Sequence, residues 1–244
     1  MLYKVKKVVK TGQKSASSVA GDQDKKTSSL FLLPSSFFPL PSSFFLQKVA
    51  EQFPETPELE PLTRTQVLIA IGVTAVILFV IAKVWLLLSS ISLVPVSFTP
   101  KALVWGLALG LAITGISSII YRVWPAYQRS ADVYLEVVLK PLLWPDLIWL
   151  GLLPGMSEEL LFRGVMLSAL GFNPSGLAIS SMCFGILHLG GLQQWPYMIW
   201  ATIVGFLLGF SALTTGNLLV PIVAHIFTNL LSSCIWKLEH PVKR

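Results

Sequence analysis

The chain has 244 residues, 54% of them hydrophobic and only 12% charged, with a net charge of +6. A soluble domain carries about 25% charged residues, so this composition excludes an ordinary soluble globular protein. The basic excess reads as membrane topology rather than nucleic-acid binding, and two isolated cysteines, Cys183 and Cys234, exclude a disulfide framework or zinc finger.

Residues 1–65 read as a separate cytoplasmic region, rich in Ser, Pro and Lys, that ends in a linker. They hold nine of the 18 Lys and Arg and six of the 12 Asp and Glu. Lys4, Lys6, Lys7, Lys10 and Lys14 suit an anchor near anionic lipid. Polar residues follow this basic start, so it does not read as a cleaved signal. The hexamer LPSSFF occurs at 33–38 and again at 40–45, an irregular segment suited to the membrane interface or to docking. Residues 51–62, EQFPETPELEPL, form the acidic linker.

The transmembrane domain is expected over 66–237, followed by a basic tail at 238–244. Spans are read at 67–91 (with Lys83 late enough to snorkel), 102–121, 146–168, 176–192, 196–214 and 217–236. The segment 122–145, with Arg122, Arg129, Lys140 and several Trp and Tyr, reads as an interfacial amphipathic helix. From Gly164 to Trp236 there is no Lys, Arg, Asp or Glu, which only membrane helices with short loops explain. The expected fold is therefore all-α, a polytopic bundle of about six transmembrane helices plus an interfacial helix. Six spans put both termini on one side, which the positive-inside rule makes cytoplasmic. The GxxxG pairs Gly106/Gly110, Gly151/Gly155 and Gly205/Gly209 predict close helix packing.

Charges inside a span are a functional hypothesis by default. Glu158, Glu159 and Arg163 lie on the third span, His188 on the fourth, and His225 and Asn229 on the sixth. Glu159 and Arg163 are four residues apart and can pair on one face. Glu158 points about 100° away, which leaves one carboxylate structural and the other free. His225 and Asn229 share a face, and Phe184 can pack over His188. At 1.5 Å per residue in a core about 30 Å thick, Glu158, His188 and His225 reach similar depth. Glu, His, His and Asn meeting there can activate water or bind a metal. The motifs HExxH, GxSxG, GxSG and GxGD are all absent.

EExxxR (Glu158, Glu159, Arg163), FxxxH (Phe184, His188) and HxxxN (His225, Asn229) follow one another on successive helices. This pattern, over about residues 146–236, resembles the CAAX protease and bacteriocin-processing (abortive-infection) family of intramembrane glutamate proteases. The resemblance implies that Glu158, aided by His188, activates water, that His225 and Asn229 stabilise the oxyanion, and that Arg163 holds Glu159. It leaves the cofactor open between zinc or another divalent metal, held by Glu158, His188 and His225, and none. The implied activity is an intramembrane endopeptidase acting on membrane-associated or lipidated substrates. The alternative is a non-proteolytic scaffold of the same family, as in pigment–protein assembly. Expected partners are membrane lipid, a peptide or protein substrate and a membrane-protein complex, without nucleic acid. The membrane is a bacterial inner membrane or that of a thylakoid or plastid. A proton-coupled transporter fits less well, because no internal repeat is found.

Overall fold

The computed structural model describes residues 61–241. The LPSSFF copies, the linker up to Glu60 and residues 242–244 lie outside the described residues. The described part belongs to the compact unit Leu62–Arg244, save Pro61. It is helical without strands, in the order α1 (Arg64–Leu88), α2 (Pro100–Val123), α3 (Pro125–Leu139), a 3-10 turn (Trp144–Asp146) and α4 (Leu147–Glu159). A π-helical segment (Leu160–Met166) runs into α5 (Leu167–Leu170), and α6 (Pro174–Leu187), a second 3-10 turn (Leu192–Gln194), α7 (Trp195–Thr215) and α8 (Leu219–Glu239) follow.

Local chemistry sets these boundaries. Thr63 and Gln66 close a reciprocal capping box at the start of α1. Thr99 caps α2 ahead of Pro100, and Asn173 caps α6 ahead of Pro174, each a polar cap followed by a proline whose missing N–H is no loss there. Gly216, at φ 59°, ends α7 in the left-handed region. Asn217 then bonds both Ser97 N–H and Ser97 C=O, tying the α7–α8 turn to the α1–α2 connection.

Four helical stretches are long and apolar enough to cross a membrane: Arg64–Leu88, Pro100–Val123, Leu192–Thr215 and Leu219–Glu239. A fifth is reached if Pro125–Leu139 and Trp144–Leu170, bent by 109°, count as one. The protein is a polytopic membrane helix bundle, as expected, with four to five stretches of spanning length beside the shorter α6. α6 has 14 residues, about 21 Å against a core of about 30 Å. It stops at His188, whose backbone N–H and ring Nδ1 turn back onto Gly185 and Phe184 carbonyls at 2.9 Å each. The run through 192 is apolar, but Gly190 and Gly191 break it. The stretch entered at Leu147 carries Glu158, Glu159 and Arg163 in its middle, so it is not uniformly apolar.

The chain nevertheless alternates between the two ends of the bundle. Gly106 lies against Val220 and Val223, and Gly110 against Ala224 and Phe227, so α2 and α8 run parallel. Gly151 meets Leu230 and Gly155 meets Ile226, so α4 runs antiparallel to α8. Arg64 binds Asp146 through both carboxylate oxygens at 2.7 Å, placing the start of α1 beside the start of α4. The entry of α1 and the exit of α8 therefore share one end of the bundle. The loop after α6 returns to that same end, where Trp195 meets Trp124 edge-on at 6.3 Å.

The GxxxG glycines make these crossings. A Cβ on Gly106, Gly110, Gly151 or Gly155 would come within 2.5–2.8 Å of an atom of α8, closer than packed side chains allow. α8 is thus gripped from both sides by glycine-bearing helices, which fixes its rotation and the direction its polar face takes. α1 buries Val67, Ala75, Leu78 and Ala82. Much of the rest, including Ile69, Val73, Val76, Ile77 and Val80, is apolar and exposed, as suits a lipid-facing helix.

Candidate active site

The polar side chains expected to meet divide into two layers. The inner layer is fully buried. Glu159 Oε1 accepts from Arg163 Nη1 at 2.7 Å and from His225 Nδ1 at 2.8 Å. Arg163 Nη2 donates to the Gly205 carbonyl at 2.9 Å, and its guanidinium lies 4.2 Å over the Phe184 ring, a cation–π contact strengthened by desolvation. Gly205 and Gly209 leave the room for this: a Cβ on Gly205 would stand 3.0 Å from Phe184 and 3.2 Å from Arg163.

The π segment supports that layer. Leu161, Phe162, Arg163, Gly164 and Val165 are buried in succession, and Leu167 N–H donates five residues back to Phe162. Ser180 on α6 donates to the same carbonyl at 2.8 Å. Such π turns are frequent at functional sites. Pro154, one turn before Glu158, adds a second irregularity by removing an N–H from the helix.

The outer layer faces a cavity of about 360 Å³. Glu158, His188, His225 and Asn229 all line it, with Phe184 and Pro154. Glu158 Oε2 has no protein partner and lies 3.9 Å from His188 Nε2. The Phe184 carbonyl can only accept, so His188 Nδ1 carries the proton. When neutral, His188 then presents an Nε2 lone pair toward a carboxylate. Two acceptors aimed at each other at that distance call for a proton donor between them, and water has two. Phe184 packs 4.7 Å from the His188 ring and 5.8 Å from the His225 ring, so one aromatic side chain orients Arg163, His188 and His225 together.

The geometry brings together all seven residues singled out in the sequence. Glu159 pairs with Arg163 and Glu158 is left over, as the spacing required. What the sequence did not show is that Glu159 also holds His225, or that Tyr134 and Tyr197 line the cavity. The aromatic density of 122–145 was the available signal for Tyr134, and nothing marked Tyr197. Glu158, His188 and His225 do not gather as metal ligands: among the described residues no three His, Cys, Asp or Glu are placed to hold an ion. The cavity runs along α2 and α8 past Ser117, Ser118, Ser232 and Ser233 to Arg122 and Glu239, the bundle end where the chain enters and leaves.

Residues 140–231 match the family model described as type II CAAX prenyl endopeptidase Rce1-like. Over this segment the chain is similar to the Rce1-like family. The matched segment holds Glu158, Glu159, Arg163, Phe184, His188, His225 and Asn229, and leaves α1, α2 and α3 outside. The chain is also 38% identical over 96 residues to the uncharacterized protein YpbD of Bacillus subtilis (strain 168), covering 39% of this chain. It spans about half, 48%, of that relative's length. No solved structure matches.

Proposed function

We propose that the protein is an intramembrane endopeptidase that hydrolyses peptide bonds with a water activated by Glu158 and His188. The family that the 140–231 segment resembles suggests CAAX-protease-type chemistry. The observation that carries the reading is the unpartnered Glu158 carboxylate opposite the His188 Nε2 lone pair in a cavity that also holds Asn229 and His225.

In this reading, water between Glu158 and His188 gives a proton to Glu158 as its oxygen attacks the scissile carbonyl carbon. The developing oxyanion accepts from the Asn229 amide and from His225 Nε2–H. The Glu159 carboxylate behind Nδ1 holds that ring in place, as a buried acid orients a catalytic histidine elsewhere. Collapse of the tetrahedral intermediate breaks the C–N bond, and Glu158 returns its proton to the leaving amine. Donors held in place in a dry cavity are worth more than in water and need no reorganisation. No step requires a metal. Substrate reaches the site from the end bearing Arg122 and Glu239, which the basic residues Arg129, Lys140 and Lys237 make cytoplasmic.

A neo-N-terminus comparison tests this, on membranes containing wild-type protein or Glu158→Gln at matched abundance. Products present with wild type and missing with the variant support the peptidase and name its substrates. Identical termini in both would favour the non-proteolytic scaffold instead.

A further inference from the structure

Tyr134 on α3 and Tyr197 on α7 line the same cavity as Glu158 and His188, yet no sequence motif includes them. Their rings stack at 5.0 Å and 26°. Tyr197 also stacks on Tyr127 at 6.1 Å and 6°, and lies 6.2 Å from the His188 ring. Tyr127 packs edge-on against Trp200, whose Nε1 is fixed by Ser117 at 3.1 Å. The two phenols are therefore clamped on several sides beside the water-activating pair.

Their hydroxyls are the unusual part. Enclosed tyrosines normally find a hydrogen-bond partner, as Tyr121 does by donating to Asp132 at 2.5 Å. Tyr134 and Tyr197, half-buried at the cavity wall, make no such bond among the described residues, which leaves their hydroxyls open to the cavity. The motif residues themselves leave few donors over. Glu158 and His188 Nε2 both accept, and Asn229 and His225 are assigned to the oxyanion. An extended peptide entering this cavity still brings carbonyl oxygens on either side of the scissile bond, and burying them without donors is costly.

We propose that the Tyr134 and Tyr197 hydroxyls bind main-chain carbonyls of the substrate peptide beside the scissile bond, as donors supplied from outside the motif set. The inference rests on the peptidase reading. It makes α3, which lies outside the matched segment, part of the substrate site. Rigid, stacked rings lose little freedom when the hydroxyl is engaged, so each bond is pre-organised.

The test uses the full chain in lipid vesicles and a quenched peptide spanning a cleavage site found in the neo-N-terminus comparison. Wild type, Glu158→Gln, Tyr134→Phe, Tyr197→Phe and the double Phe variant are compared for kcat, KM and thermal unfolding. The Phe variants keep the stack, so they unfold like wild type. Each lowers kcat/KM by about 10-fold, and the double variant by about 100-fold. An ester or N-methylated backbone elsewhere in the peptide does not change those ratios, whereas reducing the flanking carbonyl to a methylene removes the difference between Tyr and Phe. Wild-type rates in the Phe variants beside an inactive Glu158→Gln would overturn this inference alone. Equal cleavage by wild type and Glu158→Gln would overturn the peptidase reading and the inference with it.

Discussion

Glu159 and His225, 66 positions apart in the chain, are joined by a hydrogen bond of 2.8 Å between Oε1 and Nδ1. The same oxygen holds Arg163 at 2.7 Å, and both Glu159 and Arg163 are wholly buried. The carboxylate thus neutralises a buried guanidinium and sets the tautomer of a histidine that lines the cavity. Removing one member of a buried ion pair leaves the other uncompensated, at a cost of about 3–5 kcal/mol. Glu159→Ala is expected to lower stability by that order and to abolish cleavage, read by thermal unfolding in detergent and by peptide hydrolysis. Glu159→Ala combined with Arg163→Met is expected to recover much of the stability and none of the activity. Wild-type stability in Glu159→Ala would rule out the pairing.

Glu158 should behave in the opposite way. Its side chain is 12% exposed, and Oε2 meets no protein donor. A carboxylate held without a partner is a burden on the fold that function retains. Glu158→Gln keeps the shape and removes the charge, so unfolding temperature stays level or rises. Cleavage falls by about 10²–10⁴-fold, the usual contribution of a general base. If Glu158→Gln unfolded as easily as Glu159→Ala, the two carboxylates would not have separate duties.

That separation was legible in the sequence because it needs only helical spacing: Glu159 and Arg163 share a face and Glu158 does not. The grip on α8 was legible for a similar reason, since paired glycines four apart mark close approach. Three features were not. The π segment at Leu160–Met166 has no side-chain pattern of its own, because its extra residue is set by packing and by the Ser180 bond to Phe162. The early end of α6 was hidden by an apolar run that continues past His188, where hydropathy is silent about a capping imidazole. The Glu159–His225 bond joins helices whose rotation is decided by Gly155 against Ile226, a contact no local window contains.

The crossing at Gly155 gives a prediction about that rotation. A Cβ there would stand 2.5 Å from Ile226 Cγ1 and 3.1 Å from Ile226 N. The side-chain clash can be relieved and the backbone one only by moving α8. Gly155→Ala is expected to cost about 1–3 kcal/mol by overpacking and to weaken cleavage by shifting His225. Ile226→Ala in the same chain recovers part of the stability. Gly72 on α1 has nothing within 4 Å of the same construction. Gly72→Ala therefore gains about 0.5–1 kcal/mol from helix propensity alone and leaves cleavage untouched. Equal loss at both glycines would mean that close packing at Gly155 is not what positions the site.

The two histidines carry a prediction about metal. Each has its Nδ1 committed, His188 to the Phe184 carbonyl and His225 to Glu159. The nitrogens left are the two Nε2 atoms, and with Glu158 they do not form a ligand set among the described residues. A catalytic zinc ordinarily takes three protein ligands, and the described residues place no such set of three around the Glu158–His188 pair, whose 3.9 Å separation leaves room for a shared water. Protein purified without added metal is expected to contain zinc well below one equivalent by elemental analysis. Treatment with a strong chelator should leave peptide hydrolysis at its starting rate. Loss of activity on chelation, restored by stoichiometric zinc, would place a metal between these side chains and displace the unaided Glu158–His188 pair.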